Sequence, residues 1–161
     1  MAIQSKYKFV LFCLLGINLF VLSCKSKGIL DKEIQIPKQI WSQREIISFE
    51  WNVNDTTGTY NMELNIEHDV NFPYQNQYVL INTIFPDQVK KEQLLSLELF
   101  DNGGKPYGVC SSNTCSTNLL LQQKIKFPMI GTYQMQIKQF GRDTALQGVH
   151  QLHLRILSAQ E

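Results

Sequence analysis

Ile47-Ser48-Phe49-Glu50-Trp51-Asn52-Val53 is followed, after a short polar stretch, by Tyr60-Asn61-Met62-Glu63-Leu64-Asn65-Ile66, and in both segments the large apolar side chains fall on every second residue. A period of two puts them on one face of an extended strand, whereas a helix would need them three and four apart. Both segments therefore read as half-buried strands. Further along, Tyr78 to Phe85 is more continuously apolar and rich in β-branched residues, which suits a strand covered on both faces. Leu95, Leu97 and Leu99 alternate with Ser96 and Glu98. Propensity alone would also allow a helix over Leu94 to Phe100, but the alternation and the closing turn Asp101-Asn102-Gly103-Gly104 read as strand. Leu119 to Phe127, Thr132 to Gln139 and Val149 to Leu157 complete the set.

The fold class expected from this pattern is all-β: a single antiparallel β-sandwich of about seven strands over residues 45–158. Pro73, Pro86, Pro106 and Pro128 all fall between the strands, where a missing backbone donor costs no ladder bond. Tyr133 opens the next-to-last strand after Phe127-Pro128-Met129-Ile130-Gly131-Thr132, two residues before Met135. That is the arrangement of the tyrosine corner in immunoglobulin-like sandwiches, so the expected wiring is immunoglobulin-like. An ordinary strand start after a Pro-Gly turn is the alternative.

At the other end of the chain, Lys6 and Lys8 precede an apolar run from Phe9 to Ser23 that stops at Cys24 and is followed by Lys25-Ser26-Lys27-Gly28. The run is short of the about 20 apolar residues a spanning helix needs, and it has the layout of a signal peptide. Val21-Leu22-Ser23-Cys24 resembles a bacterial lipobox, in which a small residue precedes a cysteine that takes a diacylglycerol. Residues 1–23 are thus expected to be a lipoprotein signal peptide and Cys24 a lipidated first residue. Several acyl chains give a stable anchor, where one alone binds marginally. Residues 24–44 mix Lys, Ser, Gly and Pro37 without a sustained period and read as a tether, although Ile34, Ile36, Ile40 and Trp41 are apolar enough to dock on the domain.

Composition narrows the function. The 161 residues suit one domain, and the 15 basic side chains include the two of the leader, leaving 13 against 14 acidic ones. A near-neutral chain without a dense Lys/Arg cluster lacks the footprint of phosphate-backbone binding, so no nucleic acid is expected as a partner. No nucleophile elbow, phosphate-cradling loop or zinc-binding helix motif occurs. His150 and His153, three apart on a strand, point to opposite faces and are poorly placed to share a metal. Glu67 and Asp69 flank His68 at a strand end and read as a solvated rim. No catalytic residue, metal or cofactor is expected. Cys110 and Cys115 sit in a polar loop of a chain bound for an oxidising compartment. A disulfide is favoured there over two free thiols or half of a metal site.

The order of these segments resembles the GldH-type gliding-motility lipoproteins of Bacteroidetes. The likeness runs through the strand with Trp51, Tyr60-Asn61, Phe72-Pro73-Tyr74-Gln75-Asn76-Gln77-Tyr78, Gly104-Lys105-Pro106-Tyr107-Gly108 and Phe127 to Tyr133. It continues with Gln139-Phe140-Gly141-Arg142, Leu146-Gln147-Gly148-Val149 and Leu154-Arg155-Ile156. It covers roughly residues 24–158 and departs at Val109 to Cys115. The resemblance implies a non-catalytic lipoprotein of the cell envelope, held on the exported side of a membrane by its lipid. Its implied partners are other proteins of the gliding and type IX secretion apparatus. Phe72, Tyr74, Tyr78 and Tyr107 are the candidate interaction surface, since rings with a polar tip are enriched at interface cores, and Arg142 joins them. Two alternatives stand beside this reading. Some of these rings could close the end of the core, or the same loops could form a small-ligand or glycan-binding module. A concave pocket would distinguish the latter from a flat docking patch.

Overall fold

The computed structural model describes residues 28–159. The expected leader and Cys24 lie outside the described residues. Eleven strands run through the described chain: β1 (Gly28–Gln35), β2 (Ile40–Ser42), β3 (Ile46–Val53), β4 (Tyr60–Asp69), β5 (Asn76–Ile84), β6 (Lys90–Glu98), β7 (Val109–Ser111), β8 (Thr114–Ile125), β9 (Gly131–Gln139), β10 (Ala145–Gln147) and β11 (Val149–Ser158). All pairings are antiparallel.

Two sheets carry the core. One has the order β1-β11-β4-β8-β7 and the other β3-β9-β5-β6, while β2 and β10 make a separate short ladder. The alternating residues fill the space between the sheets. Ile47, Phe49, Trp51 and Val53 face Met62, Leu64 and Ile66 across a core that also takes Leu152, Leu154 and Ile156, all buried. The segment over Leu94 to Phe100 is strand as far as Glu98, after which Asp101 closes the turn. Its Oδ1 accepts from the amides of Gly103 at 2.8 Å and Lys105 at 2.9 Å, and Gly104 takes the positive φ of 79° that the turn demands.

The seven expected strands are present, and the four additional ones each have a physical reason to be quiet in sequence. β1 occupies much of the stretch read as a tether. It pairs with β11 from Gly28↔Leu157 to Gln35↔Gln151 and forms the edge of its sheet. Its middle, Asp31-Lys32-Glu33, is exposed, and charge on an edge strand blocks pairing with other chains while erasing the alternation that reveals a strand. β2, β7 and β10 are three residues each. Trp41 and Leu146 nevertheless face each other in the β2–β10 register and are buried. β5 also differs from expectation: Gln77, Val79 and Ile81 point into the core, while Tyr78 on the other face is exposed.

The strand order also corrects the wiring. Leaving out the three short strands, the first strand pairs with the last (β1·β11), the second with the next-to-last (β3·β9), and so inward through β4·β8 to the hairpin β5·β6. Successive pairs alternate between the sheets. This nested antiparallel winding is a jelly roll rather than an immunoglobulin-like sandwich, in which the last two strands are neighbours in one sheet. Here β9 and β11 lie in opposite sheets.

The tyrosine-corner geometry is present on this different topology. The Tyr133 hydroxyl donates to the Met129 carbonyl at 3.0 Å and accepts from the Met129 amide at 3.2 Å, and Met135 is buried.

Candidate functional site

The winding gives the sandwich two distinct ends. At one lie Gly28, the β3–β4 loop, the β5–β6 hairpin and the β8–β9 loop. At the other lie the β4–β5 and β9–β10 loops, the segment from Phe100 to Tyr107, and the β7–β8 hairpin. The exposed aromatic residues Tyr74, Tyr78, Tyr107 and Phe140 are all at the second end.

The loop carrying Arg142 and Asp143 is pinned from beneath by glutamines. On β9, inward positions Tyr133, Met135 and Ile137 are followed by Gln139, which is 1% exposed. A buried amide must find partners. Gln139 Nε2 donates to the Asp143 carbonyl at 2.8 Å, and its Oε1 accepts from the Gly141 amide at 2.9 Å. Gln43 Nε2 donates to the Gly141 carbonyl at 2.7 Å, and the Gln43 amide donates to the Thr144 carbonyl at 2.9 Å. On β5, buried Gln77 donates to the Tyr78 carbonyl at 2.8 Å.

Over this support the Tyr74 hydroxyl donates to the Asp143 carboxylate, a bond that raises the phenol above the ordinary tyrosine range. Phe140 joins its backbone to the Tyr78 carbonyl at 2.8 Å. A groove of about 460 Å³ results, lined by Tyr74, Asn76, Gln77, Tyr78, Gly141, Arg142, Asp143 and Leu146. Three of the five candidate surface residues, Tyr74, Tyr78 and Arg142, thus converge on one concavity. Tyr107 is 64% exposed at the same end but outside the groove.

Phe72 corrects the expectation. It is 6% exposed, with its ring 5.3 Å from His68 and 5.8 Å from Tyr74. Its turn, in which the Phe72 amide donates to the Asp69 carbonyl at 3.0 Å, directs it into the core. It therefore supports the surface from below. Sequence reasoning also missed Phe140, Asp143 and the glutamines. The available signal was Gln139 itself, a polar residue at an inward register of an otherwise apolar strand.

Cys110 and Cys115 stand opposite each other in the β7–β8 hairpin and are bonded, with Cα atoms 4.0 Å apart. The histidines are separately engaged: His150 Nε2 lies 2.7 Å from Asp69 Oδ1, and His153 Nε2 lies 2.5 Å from Asp31 Oδ1. His68 is fully buried between Phe72 and Phe100. Burial holds it below the ordinary histidine range, a shift only partly opposed by the Asp69 carbonyl and charge. Among the described residues no cluster of three or more His, Cys, Asp or Glu is arranged to hold a metal.

The family profile described as GldH lipoprotein matches residues 28–156, the whole of the jelly roll but its last residues. The chain belongs to the GldH lipoprotein family. The gliding motility lipoprotein GldH of Flavobacterium johnsoniae is 25% identical over 145 residues, covering 86% of this chain and 89% of that protein. A gliding motility lipoprotein GldH homolog of Christiangramia forsetii is 23% identical over 131 residues, covering 81% of this chain and 80% of the other. Membership of the GldH family places the chain among gliding-motility lipoproteins, and with them at a membrane of the cell envelope.

Proposed function

We propose that this GldH-family chain is a non-catalytic docking component of the gliding and type IX secretion apparatus. In this reading Cys24 anchors it by lipid, and it binds another envelope protein through the end bearing Tyr74, Tyr78, Tyr107 and Arg142. The observation that carries the reading is polarity. The exposed aromatic rings are gathered at the end opposite Gly28. Cys24 stands four residues before Gly28, within about 13 Å of chain at about 3.3 Å per residue. The ten residues of β4 span roughly 30 Å at about 3.3 Å each, so the aromatic end is held about that far beyond the entry point. Large rings at a loop end are costly to leave in water, and an aromatic and arginine surface is the composition of an interface core.

The test replaces Tyr74 and Tyr107 singly by Ala in the native lipoprotein. Motility and recovery of partner proteins should fall while the melting temperature stays nearly unchanged. If the domain unfolds instead, the rings are core and the docking reading fails. In the same strain background, Cys24→Ala should abolish incorporation of labelled fatty acid; equal incorporation would remove the anchor on which the polarity argument depends.

A second reading rests on the concavity of the Tyr74–Arg142 groove, in which rings, amides and a guanidinium converge as they do in glycan and small-ligand sites. Saturable binding of envelope oligosaccharide to the purified protein, lost in Tyr78→Ala with no loss of protein partners, would favour it.

A further inference from the structure

At the opposite end, a cavity of about 310 Å³ lies between the two sheets. All four strands of one sheet line it: β3 gives Trp51, β9 gives Tyr133 and Met135, β5 gives Ile81 and Thr83, and β6 gives Lys91, Gln93 and Leu95. At about 4.8 Å between strands, it underlies roughly 14 Å of sheet. For scale, an engineered cavity of about 150 Å³ admits benzene. Its floor comes from the other sheet, through Met62 and Leu121 among others.

Two features separate this space from a packing fault. It opens between two strand edges, because β6 ends its sheet and β7 covers β8 only over Thr114 to Ser116. The mouth carries Lys91 and Lys126 with Gln93 and Gln122; no Asp or Glu lines the cavity, and neither lysine forms an ion pair among the described residues.

The geometry points to a binding site for a medium-length acyl chain with an anionic head. The hydrocarbon lies between the sheets among residues that include the two adaptable methionines, and the head is held by Lys91 and Lys126. This inference is independent of the aromatic end.

The probe is 11-bromoundecanoate, whose bromine quenches a tryptophan it touches. The protein is the mature chain exported behind a leader without a lipobox. Saturable quenching of tryptophan emission is expected, with undecanoate competing and undecylamine failing to compete. Trp51→Phe, which keeps the distant Trp41, should lose the quenching. Lys91→Glu with Lys126→Glu, both at exposed positions, should weaken binding at least tenfold without changing the melting temperature. Leu121→Phe, which fills the cavity, should abolish binding in a folded protein. Absence of saturable quenching, equal competition by the amine, or unchanged affinity after charge reversal overturns the proposal. Vesicles of phosphatidylglycerol with brominated acyl chains identify the source. Quenching of the lipidated protein in them marks a membrane lipid as the ligand, and quenching by the soluble acid alone marks a free fatty acid.

Discussion

Tyr133→Phe isolates one oxygen. The Tyr133 ring is 1% exposed and packs against Phe127 at 5.0 Å, Phe85 at 5.6 Å and Trp51 at 5.8 Å, the last nearly parallel at 11°. Phenylalanine keeps these contacts and removes only the hydroxyl that bonds both backbone groups of Met129, at 3.0 Å and 3.2 Å. A net intramolecular hydrogen bond contributes about 0.5–1.5 kcal/mol. The second bond is at the long limit of good geometry, and Met129 is only half buried, so water replaces part of what its backbone loses. The loss should be about 1.5 kcal/mol. With an unfolding entropy of about 2.1 cal/mol/K per residue over the folded body, that lowers the midpoint by roughly 5 °C. Scanning calorimetry gives the midpoint, and a urea titration with unchanged slope confirms that stability alone moved. Tyr133→Leu, which also forfeits the ring contacts, should cost about 3 kcal/mol or more. A Phe variant within about 0.3 kcal/mol of wild type, or one as damaged as the Leu variant, refutes the reasoning.

Phe72→Ala should destabilise by about 3 kcal/mol, as for a core phenylalanine, and calorimetry beside Tyr74→Ala separates support from surface. Reduction of Cys110–Cys115 should cost no more than about 2 kcal/mol, because the closed ring is short, and should leave the two sheets intact by circular dichroism. His68 is neutral in the fold and pushed below its ordinary value of 6.5 by burial, whereas the unfolded chain takes up its proton near 6.5. The unfolded state therefore binds more protons as pH falls, so this contribution is complete above about pH 7 and is lost below it. Urea midpoints at pH 7 and pH 5 should converge in His68→Phe relative to wild type; an unchanged difference would falsify the assignment.

What the sequence showed and what it hid divide along burial. β3, β4, β9 and β11 each bury alternate residues, so each writes its register directly into the chain. β1 does not, because an edge strand with Asp31, Lys32 and Glu33 at its centre answers to aggregation avoidance and not to the core. Topology was illegible for another reason. Tyr133 and its partner Met129 are four residues apart, and so local a motif fits an immunoglobulin-like or a jelly-roll order equally well. Only the long-range registers Gly28↔Leu157 and Val53↔Gly131 distinguish them. The candidate surface was half legible. Tyr74 and Tyr78 stand in a loop and on an outward register, but Phe72, two residues from Tyr74 and without its hydroxyl, is turned into the core by a loop that has no period to read. Asp143 enters the site on a loop that the Gln139 side chain holds by its backbone, and such a loop has no period to read; the inward register of Gln139 was the one trace of it.

The winding itself explains why the two ends are suited to different tasks. In a nested antiparallel array the chain enters beside its last strand and reverses at alternate ends, so the loops β3–β4, β5–β6 and β8–β9 return to the end where it entered. With Cys24 as the anchor, those loops lie nearest the bilayer, and they carry the exposed apolar residues Val89 and Ile130. The loops β4–β5 and β9–β10 are forced to the far end whatever their sequence, and there the chain spends its exposed tyrosines, Phe140 and Arg142. A docking surface on the near loops would compete with the membrane for approach, whereas on the far loops it is presented by a rigid body roughly 30 Å long. The cavity has the converse placement. Its mouth opens on the side of the sandwich between β6 and β8 at the end where the chain enters, the end that the proposed anchor at Cys24 would bring nearest the bilayer.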